Sequence, residues 1–134
     1  MRACPPVDSA PVDPMELAVL PDGRVFYIER GGKLKIYKPQ NSSIVVAGQL
    51  AVSTTLEDGL LGLTLDPGFA TNGWLYLFYS PAGTTPEQHV SRFTMVGDTL
   101  DASSEKLLLR IPTQREQSVS FVLRCAAKSG NEIA

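Results

Sequence analysis

Short apolar runs separated by turn residues follow one another from residue 14 to residue 113, and this pattern predicts strands and turns throughout. Pro21-Asp22-Gly23 ends the first run, since proline fixes φ and glycine tolerates a positive φ. Gly31-Gly32 suits a tight hairpin turn before a segment in which polar and apolar residues alternate. The sequence therefore predicts four strands here, within residues 17–20, 25–28, 33–38 and 44–52.

The same order of runs recurs roughly 40–50 residues later, and repeats of this length with four short strands are typical of β-propeller blades. The second set lies at residues 63–67, 75–79, 90–95 and 106–111. The innermost strand of each set is apolar on both faces, which indicates sheets packed between neighbouring sheets. We therefore predict an all-β fold, with about two four-stranded antiparallel blades in residues 14–117 and an irregular segment in residues 1–13.

Two blades cannot close a ring, because propellers contain about four to eight. At ~25 cal/mol per Å² of apolar surface, the missing neighbours would cost on the order of 10 kcal/mol. Three explanations stay open: a part of a larger protein, an assembly of several copies, or a self-standing β-fold that imitates the repeat. Uncovered blade faces and strand edges also predict self-association.

The last segment, residues 118–134, matches neither repeat and predicts an irregular or short helical tail. Terminal repeats are often atypical, so a cap is one interpretation. We favour a divergent tail that is foreign to the repeat. Cys4 and Cys125 match no metal or redox spacing, and two separate thiols are favoured over a disulfide.

Composition narrows the classes of partner. The chain is 43% hydrophobic with a net charge of −2 and no basic stripe, which argues against a nucleic-acid partner. No apolar run approaches the ~20 residues that span a bilayer, so no transmembrane segment is predicted. The N-terminus lacks the apolar core of a signal peptide, which leaves a cytosolic chain or a start that lies elsewhere.

Three separated segments resemble the soluble glucose/sorbosone dehydrogenase family: PMELAVLPDGRVFYIERGGKLKIYKP, EDGLLGLTLDPGFATNGWLYLFYS and VSRFTMVGDTLDASSEKLLLRIPTQREQ. They occur in the family's order, with matching gaps, across about residues 14–117. The resemblance implies part of a six-bladed propeller, typically secreted or periplasmic, that binds pyrroloquinoline quinone and calcium and oxidises a sugar substrate. It also implies a histidine base that removes the hydroxyl proton while hydride passes to the quinone.

The resemblance also indicates which site residues the chain contains. Gln114-Arg115-Glu116-Gln117 matches the family stretch that precedes Cys-Cys-His-x-Gly-Gly, and the chain then diverges. No catalytic residue and no metal ligand is therefore expected here, and we expect the chain alone to be inactive and to bind neither cofactor. Glu57 lies where the family places Glu or Gln facing the central cofactor pocket, so the resemblance implies a pocket-rim role. The alternative is that Glu57 and Asp58 only solvate a turn, which we favour for Asp58.

Other candidate residues have simpler explanations. His89, the single histidine, follows a polar run and is predicted to be an exposed loop residue. Trp74, Tyr76 and Tyr79 are predicted to be core aromatics more readily than a sugar platform. No hydrolase elbow, zinc-protease, P-loop or dinucleotide motif occurs. The alternative to the dehydrogenase is a non-catalytic propeller that binds carbohydrate or protein, because a fold does not establish a chemistry.

Overall fold

The computed structural model describes residues 11–113, which form two four-stranded antiparallel sheets. The first sheet contains β1 (Pro14–Val19), β2 (Val25–Glu29), β3 (Lys33–Lys38) and β4 (Ser43–Gln49) in that spatial order. The second contains β5 (Leu60–Leu65), β6 (Trp74–Tyr79), β7 (Glu87–Val96) and β8 (Thr99–Pro112). The prediction of two four-stranded antiparallel units is confirmed. Residues 1–10 and 114–134, which include the predicted tail and both cysteines, lie outside the described residues.

The hairpins form where the turn residues predict them. In the β1–β2 turn, the Gly23 N–H donates to the Leu20 carbonyl at 2.9 Å, and Leu17 then lies opposite Tyr27. The last two strands extend beyond the predicted apolar runs, because their outer positions are polar. β7 begins at Glu87, and β8 begins at Thr99, directly after the turn that contains Gly97.

One hydrophobic core lies between the two sheets. Alternate residues of each strand point into it, as the two-residue period of a β-strand requires. Phe26 and Ile28 of β2 are fully buried, and the Phe26 ring meets the edge of Phe69 with centroids 5.5 Å apart. The large core side chains are Phe26, Ile28, Leu34 and Ile36 from the first sheet and Leu60, Leu63, Leu75, Leu77 and Phe93 from the second. Each sheet therefore uses one face to stabilise the other.

The opposite face of the first sheet is largely apolar and mostly open among the described residues, although Pro11 lines it and the Val12 N–H reaches the Glu29 carboxylate there. Leu17 and Val19 of β1 are 61% and 62% exposed. A groove of about 660 Å³ runs along this face, and its lining includes Pro14, Tyr27 and Tyr37. β1 therefore has one open apolar side, formed by Met15, Leu17 and Val19, while its inward side carries Ala18 and Glu16, whose carboxylate accepts the Leu63 N–H of the second sheet. The prediction of a strand that is apolar on both faces is thus wrong at Glu16.

A buried ion pair lies on the same face of the first sheet. Lys35 Nζ lies 2.8 Å from Glu29 Oε2, and the Val12 N–H donates to the same oxygen at 3.0 Å. Burial alone would raise the pKa of Glu29, but the hydrogen bonds from Lys35 and Val12 and the positive charge of Lys35 lower it on balance. The charge is therefore tolerated in an apolar setting because it is fully paired.

One helical turn, α1 (Phe69–Asn72), joins β5 to β6 and was not predicted. Asp66 organises it, because its carboxylate accepts hydrogen bonds from the Gly68 N–H, Asn72 Nδ2 and the Tyr76 hydroxyl. These bonds lower the pKa of Asp66 against the opposing effect of burial. Across residues 11–113 no helix is long and apolar enough to cross a membrane.

Candidate functional site

The candidate site lies where the chain crosses from the first sheet to the second. Residues 53–59 form this crossing loop, which follows β4 and leads into β5 at Leu60. Leu60, the first residue of β5, pairs with Tyr79, the last residue of β6. The loop therefore lies at the end of the second sheet where β5 begins and β6 stops. Glu57 is exposed in this loop, three residues before β5, and the structure therefore places it at the lip of the buried strand.

Arg30 fixes the crossing loop to the first sheet. It follows β2, and its side chain donates from Nε to the Asp58 carbonyl at 2.8 Å and from Nη2 to the Thr54 carbonyl at 2.8 Å. Nη2 also donates to the Leu56 carbonyl. The Arg30 carbonyl in turn accepts the Leu60 N–H at 2.9 Å. Both the loop and the first residue of β5 are thus held by one residue of the other sheet.

Asp58 is buried, so the prediction that it solvates a turn is wrong. Its side chain accepts a hydrogen bond from the Ser53 hydroxyl at 2.9 Å, and its N–H donates to the Thr55 carbonyl. Only 6% of Asp58 is exposed. The carboxylate is satisfied inside the loop, which explains how a charge can lie beside the core. Asp58 therefore closes the loop, while its neighbour Glu57 points outwards.

The backbone of the crossing loop passes directly over Arg30. Leu56 has a positive φ of 53°, and Gly59 has a φ of 150°, which favours glycine. A Cβ on Gly59 would lie 2.5 Å from Arg30 Cγ and 2.8 Å from the Arg30 carbonyl oxygen. The Gly59 carbonyl also accepts the Ser80 N–H at 2.9 Å. Close contact with Arg30 therefore requires glycine at this point.

A second polar group lies near the same edge of the second sheet. His89 belongs to β7, contacts the Glu87 carboxylate through Nε2, and meets Tyr79 edge-on with centroids 5.6 Å apart. Its side chain is 14% exposed. The prediction of an exposed loop histidine is therefore wrong, because β7 begins earlier than its apolar run.

Tyr79 links this polar group to the outermost strand. Its hydroxyl donates to the Glu105 carboxylate, which also accepts the Ser91 hydroxyl at 2.7 Å. Burial and the adjacent Glu105 carboxylate raise the pKa of Tyr79 well above its usual range. Tyr79 is thus a neutral hydrogen-bond donor that ties β6 to Glu105 of β8, and it does not offer a nucleophile.

Comparison with known proteins assigns the chain to a protein family. Residues 12–133 match the model of the Glucose / Sorbosone dehydrogenase family. The chain belongs to this family. A search of curated proteins found no significant match.

Several solved structures that are similar to this glucose/sorbosone dehydrogenase family member are named as glucose or aldose sugar dehydrogenases. An oxidoreductase from Thermus thermophilus, described as a glucose dehydrogenase, has 27% identity and a TM-score of 0.69 over 78% of this chain and 31% of its own. The PQQ-bound aldose sugar dehydrogenase from Streptomyces coelicolor has 23% identity and a TM-score of 0.67, over 81% and 34%. The soluble Escherichia coli aldose sugar dehydrogenase in its apo form has 24% identity and a TM-score of 0.63, over 74% and 30%.

These comparisons confirm the predicted fold class. The two sheets match part of the β-propeller fold of sugar dehydrogenases. The chain spans about a third of the length of these structures. The apolar face of the first sheet, open in the described residues, is consistent with a blade that packs against a neighbour in a longer relative.

The described part of this family member contains few groups suited to a metal or a redox cofactor. Among residues 11–113, no cluster of three or more His, Cys, Asp or Glu side chains could hold a metal ion. Glu57 offers a carboxylate, which accepts hydrogen bonds from hydroxyl groups but repels other carboxylates. Glu57 is therefore able to accept hydrogen bonds from hydroxyl groups of a ligand.

The predicted core aromatics occupy both faces of the second sheet. Tyr79 is buried on the core side, as predicted. Trp74 and Tyr76 lie on the opposite face, partly buried, and the Arg92 guanidinium stacks 3.8 Å from the centre of the Trp74 ring. The sequence offered no sign of Arg30, the residue that organises the crossing loop. An arginine after an apolar strand resembles any surface charge, and its partners are backbone carbonyls that carry no sequence signal.

Proposed function

We propose that this chain is part of a quinone-dependent sugar dehydrogenase, and that the crossing loop borders its substrate pocket. The observation that carries the proposal is the exposed carboxylate of Glu57 on a loop fixed at the edge where β5 begins. Family membership supports a sugar as the substrate, and one solved relative is named as a PQQ-bound form. Pyrroloquinoline quinone, when bound, supplies the acceptor for two electrons and a proton from the sugar.

In this proposal Glu57 binds the sugar. An ionised carboxylate accepts hydrogen bonds from sugar hydroxyls, and such charge-assisted bonds are stronger than neutral ones. The quinone itself carries carboxylates, so direct contact with Glu57 would be repulsive unless a cation lay between them. Glu57 thus orients the substrate at the rim, while other parts of the protein hold the cofactor.

We further propose that the base and any calcium ligands come from outside residues 11–113. His89 is the single histidine of the chain, and its Nε2 is engaged by Glu87 within the second sheet. A general base needs hydrogen-bond access to the hydroxyl that it deprotonates. We therefore expect the 134-residue chain alone to catalyse no sugar oxidation, even with added quinone and calcium.

The experiment that tests this function is a segment exchange. Residues 12–113 replace the matching segment of the Thermus thermophilus glucose dehydrogenase, and dye reduction with glucose is measured with and without the quinone. We expect quinone-dependent turnover, and Glu57→Ala in the exchanged segment should raise KM about tenfold, as expected when one charged hydrogen bond is lost. The same protein with its own segment restored is the control.

The competing function is a non-catalytic carbohydrate-binding propeller. A folded exchange protein that binds glucose, measured by calorimetry, but reduces no dye in the presence of quinone would favour that function. Sugar oxidation by the unmodified 134-residue chain would contradict the proposal that the catalytic base and the calcium ligands come from outside residues 11–113.

We also propose that the uncovered face of the first sheet leads the isolated chain to self-associate. Leu17, Val19 and Val46 are all more than half exposed on strands of this sheet. Contiguous apolar patches of this kind mark interaction surfaces or aggregation-prone faces.

A further inference from the structure

We propose that Arg30 is a positioning residue that holds Glu57 in its ligand-binding orientation. The inference rests on the proposed role of Glu57. It concerns how the first sheet controls a site formed by the start of the second. Arg30 touches no ligand in this proposal and acts only through the crossing loop.

The contacts of Arg30 span the peptide segment that bears Glu57. Its side chain binds the carbonyls of residues on both sides, Leu56 and Asp58, and also the carbonyl of Thr54. Arg30 therefore holds the peptide group that precedes the Glu57 Cα, through the Leu56 carbonyl, and the peptide group that follows Asp58. The peptide group between them is held by the Asp58 N–H, which donates to the Thr55 carbonyl at 2.9 Å. Since the carbonyls point towards Arg30, the Glu57 side chain is left free to point outwards.

Arginine suits this task because its guanidinium is planar and presents five N–H donors in a fixed fork. A lysine has three donors on one atom and cannot bind three carbonyls arranged along a loop with comparable geometry. The substitution Arg30→Lys keeps the positive charge and most of the side-chain volume. It therefore removes the fork while leaving the local charge unchanged.

The loop has no regular secondary structure of its own to replace Arg30. It contains a residue with positive φ, Leu56, whose side chain is 62% exposed and packs little. Its other anchors are the Asp58 N–H bond to the Thr55 carbonyl, which closes a single turn around Glu57, and the bonds of Ser53 to Asp58 and of Gly59 to Ser80. Without Arg30, no bond would join the Leu56 carbonyl, next to Glu57, to the first sheet.

Arg24 provides a matched control, because it lies at the other end of the same strand, β2. It pairs with Asp22 at 2.9 Å, and its guanidinium carbon lies 5.6 Å from the centre of the Phe26 ring. Neither of these contacts reaches the crossing loop. Arg24→Lys therefore tests the general effect of losing an arginine from this region.

The first test uses the full 134-residue chain and a protease that cleaves after glutamate. We expect Arg30→Lys to accelerate cleavage after Glu57 about tenfold relative to cleavage after the other glutamates, whereas Arg24→Lys leaves that ratio unchanged. Equal rates for the two variants would overturn the proposal. A purely structural role would instead accelerate cleavage after all glutamates by the same factor.

A second measurement needs no substitution and decides the matter if Arg30→Lys fails to fold. Hydrogen exchange of arginine Nε–H groups is followed by NMR in the unsubstituted chain. Arg30 Nε–H, which donates to the Asp58 carbonyl at 2.8 Å, should exchange at least about tenfold more slowly than that of Arg110, whose side chain is 60% exposed and whose Nε makes a longer, 3.3 Å contact with the Glu87 carboxylate. Equal exchange rates would show that the hydrogen bonds of Arg30 to the crossing loop do not persist in solution, and the proposal would be wrong.

The functional arm uses the exchange protein described above. Arg30→Lys should raise KM for glucose with little change in kcat, and should have no further effect when Glu57 is already alanine. Additive effects of the two substitutions would overturn the positioning role. If the segment-exchange protein is inactive without any substitution, the proposed function fails. The proteolysis and hydrogen-exchange measurements on the 134-residue chain then still decide whether Arg30 holds the loop.

Discussion

The close approach of Gly59 to Arg30 leads to a quantitative prediction for Gly59→Ala. The added Cβ would lie 2.5 Å from Arg30 Cγ, far inside the ~3.5–4.0 Å at which carbon atoms normally make contact. It would also lie 2.8 Å from the Arg30 carbonyl oxygen, which cannot move independently because it accepts the Leu60 N–H. The loop must therefore shift away from Arg30.

Gly83 supplies a matched control that separates this contact from backbone strain. It has a φ of 111° and no atom within 4 Å of its Cβ position. Both alanine variants carry the strain of a positive φ, on the order of 1–3 kcal/mol. Only Gly59→Ala also displaces Arg30. If two of the Arg30 hydrogen bonds to the loop are lost, at ~1 kcal/mol each for a partly exposed group, the difference between the variants is about 2 kcal/mol.

Urea unfolding of the two variants, followed by circular dichroism, measures that difference. With an m-value of ~1.5 kcal/mol/M, the midpoint of Gly59→Ala should lie more than about 1 M below that of Gly83→Ala. If stability is too low for a midpoint, Gly59→Ala should lose its β signal in buffer while Gly83→Ala retains it. Equal midpoints would refute the steric argument. A smaller difference between the variants in an Arg30→Ala background, where Cγ is absent, would support it.

Three further predictions concern the core, the ion pair and the uncovered face. Leu77→Ala should lower the free energy of unfolding by ~2–5 kcal/mol in urea titrations, because Leu77 is fully buried between the sheets; a loss below about 1 kcal/mol would contradict the shared core. The pKa of Glu29 is lowered in the folded chain, so its ionisation stabilises the fold above the unfolded-state pKa of ~4.3, and this contribution is lost as pH falls. The melting temperature of Glu29→Gln should therefore change less between about pH 6 and pH 3 than that of the unsubstituted chain. Leu17→Lys should reduce self-association in sedimentation experiments, whereas an exposed residue outside that face, Leu56→Lys, should not.

The strands could be predicted from the sequence because each strand leaves a local pattern. The alternation of apolar residues within residues 25–28 and 33–38 reflects side chains that enter the core on one face. The turn at Gly23 requires particular residue types within a few positions. A repeat of these local signals then predicts two similar sheets, and the structure contains them.

The ends of the outer strands and the helical turn were not predictable in the same way. The polar residues before His89 predict a loop, yet pairing with Arg110 of β8 places His89 in a strand. Burial there is provided by Tyr79 and Glu87, and neither contact follows from sequence distance. α1 depends on Asp66, which organises a four-residue turn through side-chain hydrogen bonds and not through helical periodicity.

The different positions of Glu57 and Asp58 carry the functional argument. The two carboxylates are adjacent in the sequence, and both could solvate a turn or both could bind a ligand. The backbone decides between them, because Arg30 draws the carbonyls of the crossing loop to one side and Ser53 satisfies the Asp58 side chain. Of these two carboxylates, only that of Glu57 is then available to a ligand. A loop with one outward carboxylate can bind hydroxyl groups without forming the paired-carboxylate site that a metal ion would prefer, and this difference supports the sugar-binding role proposed for Glu57.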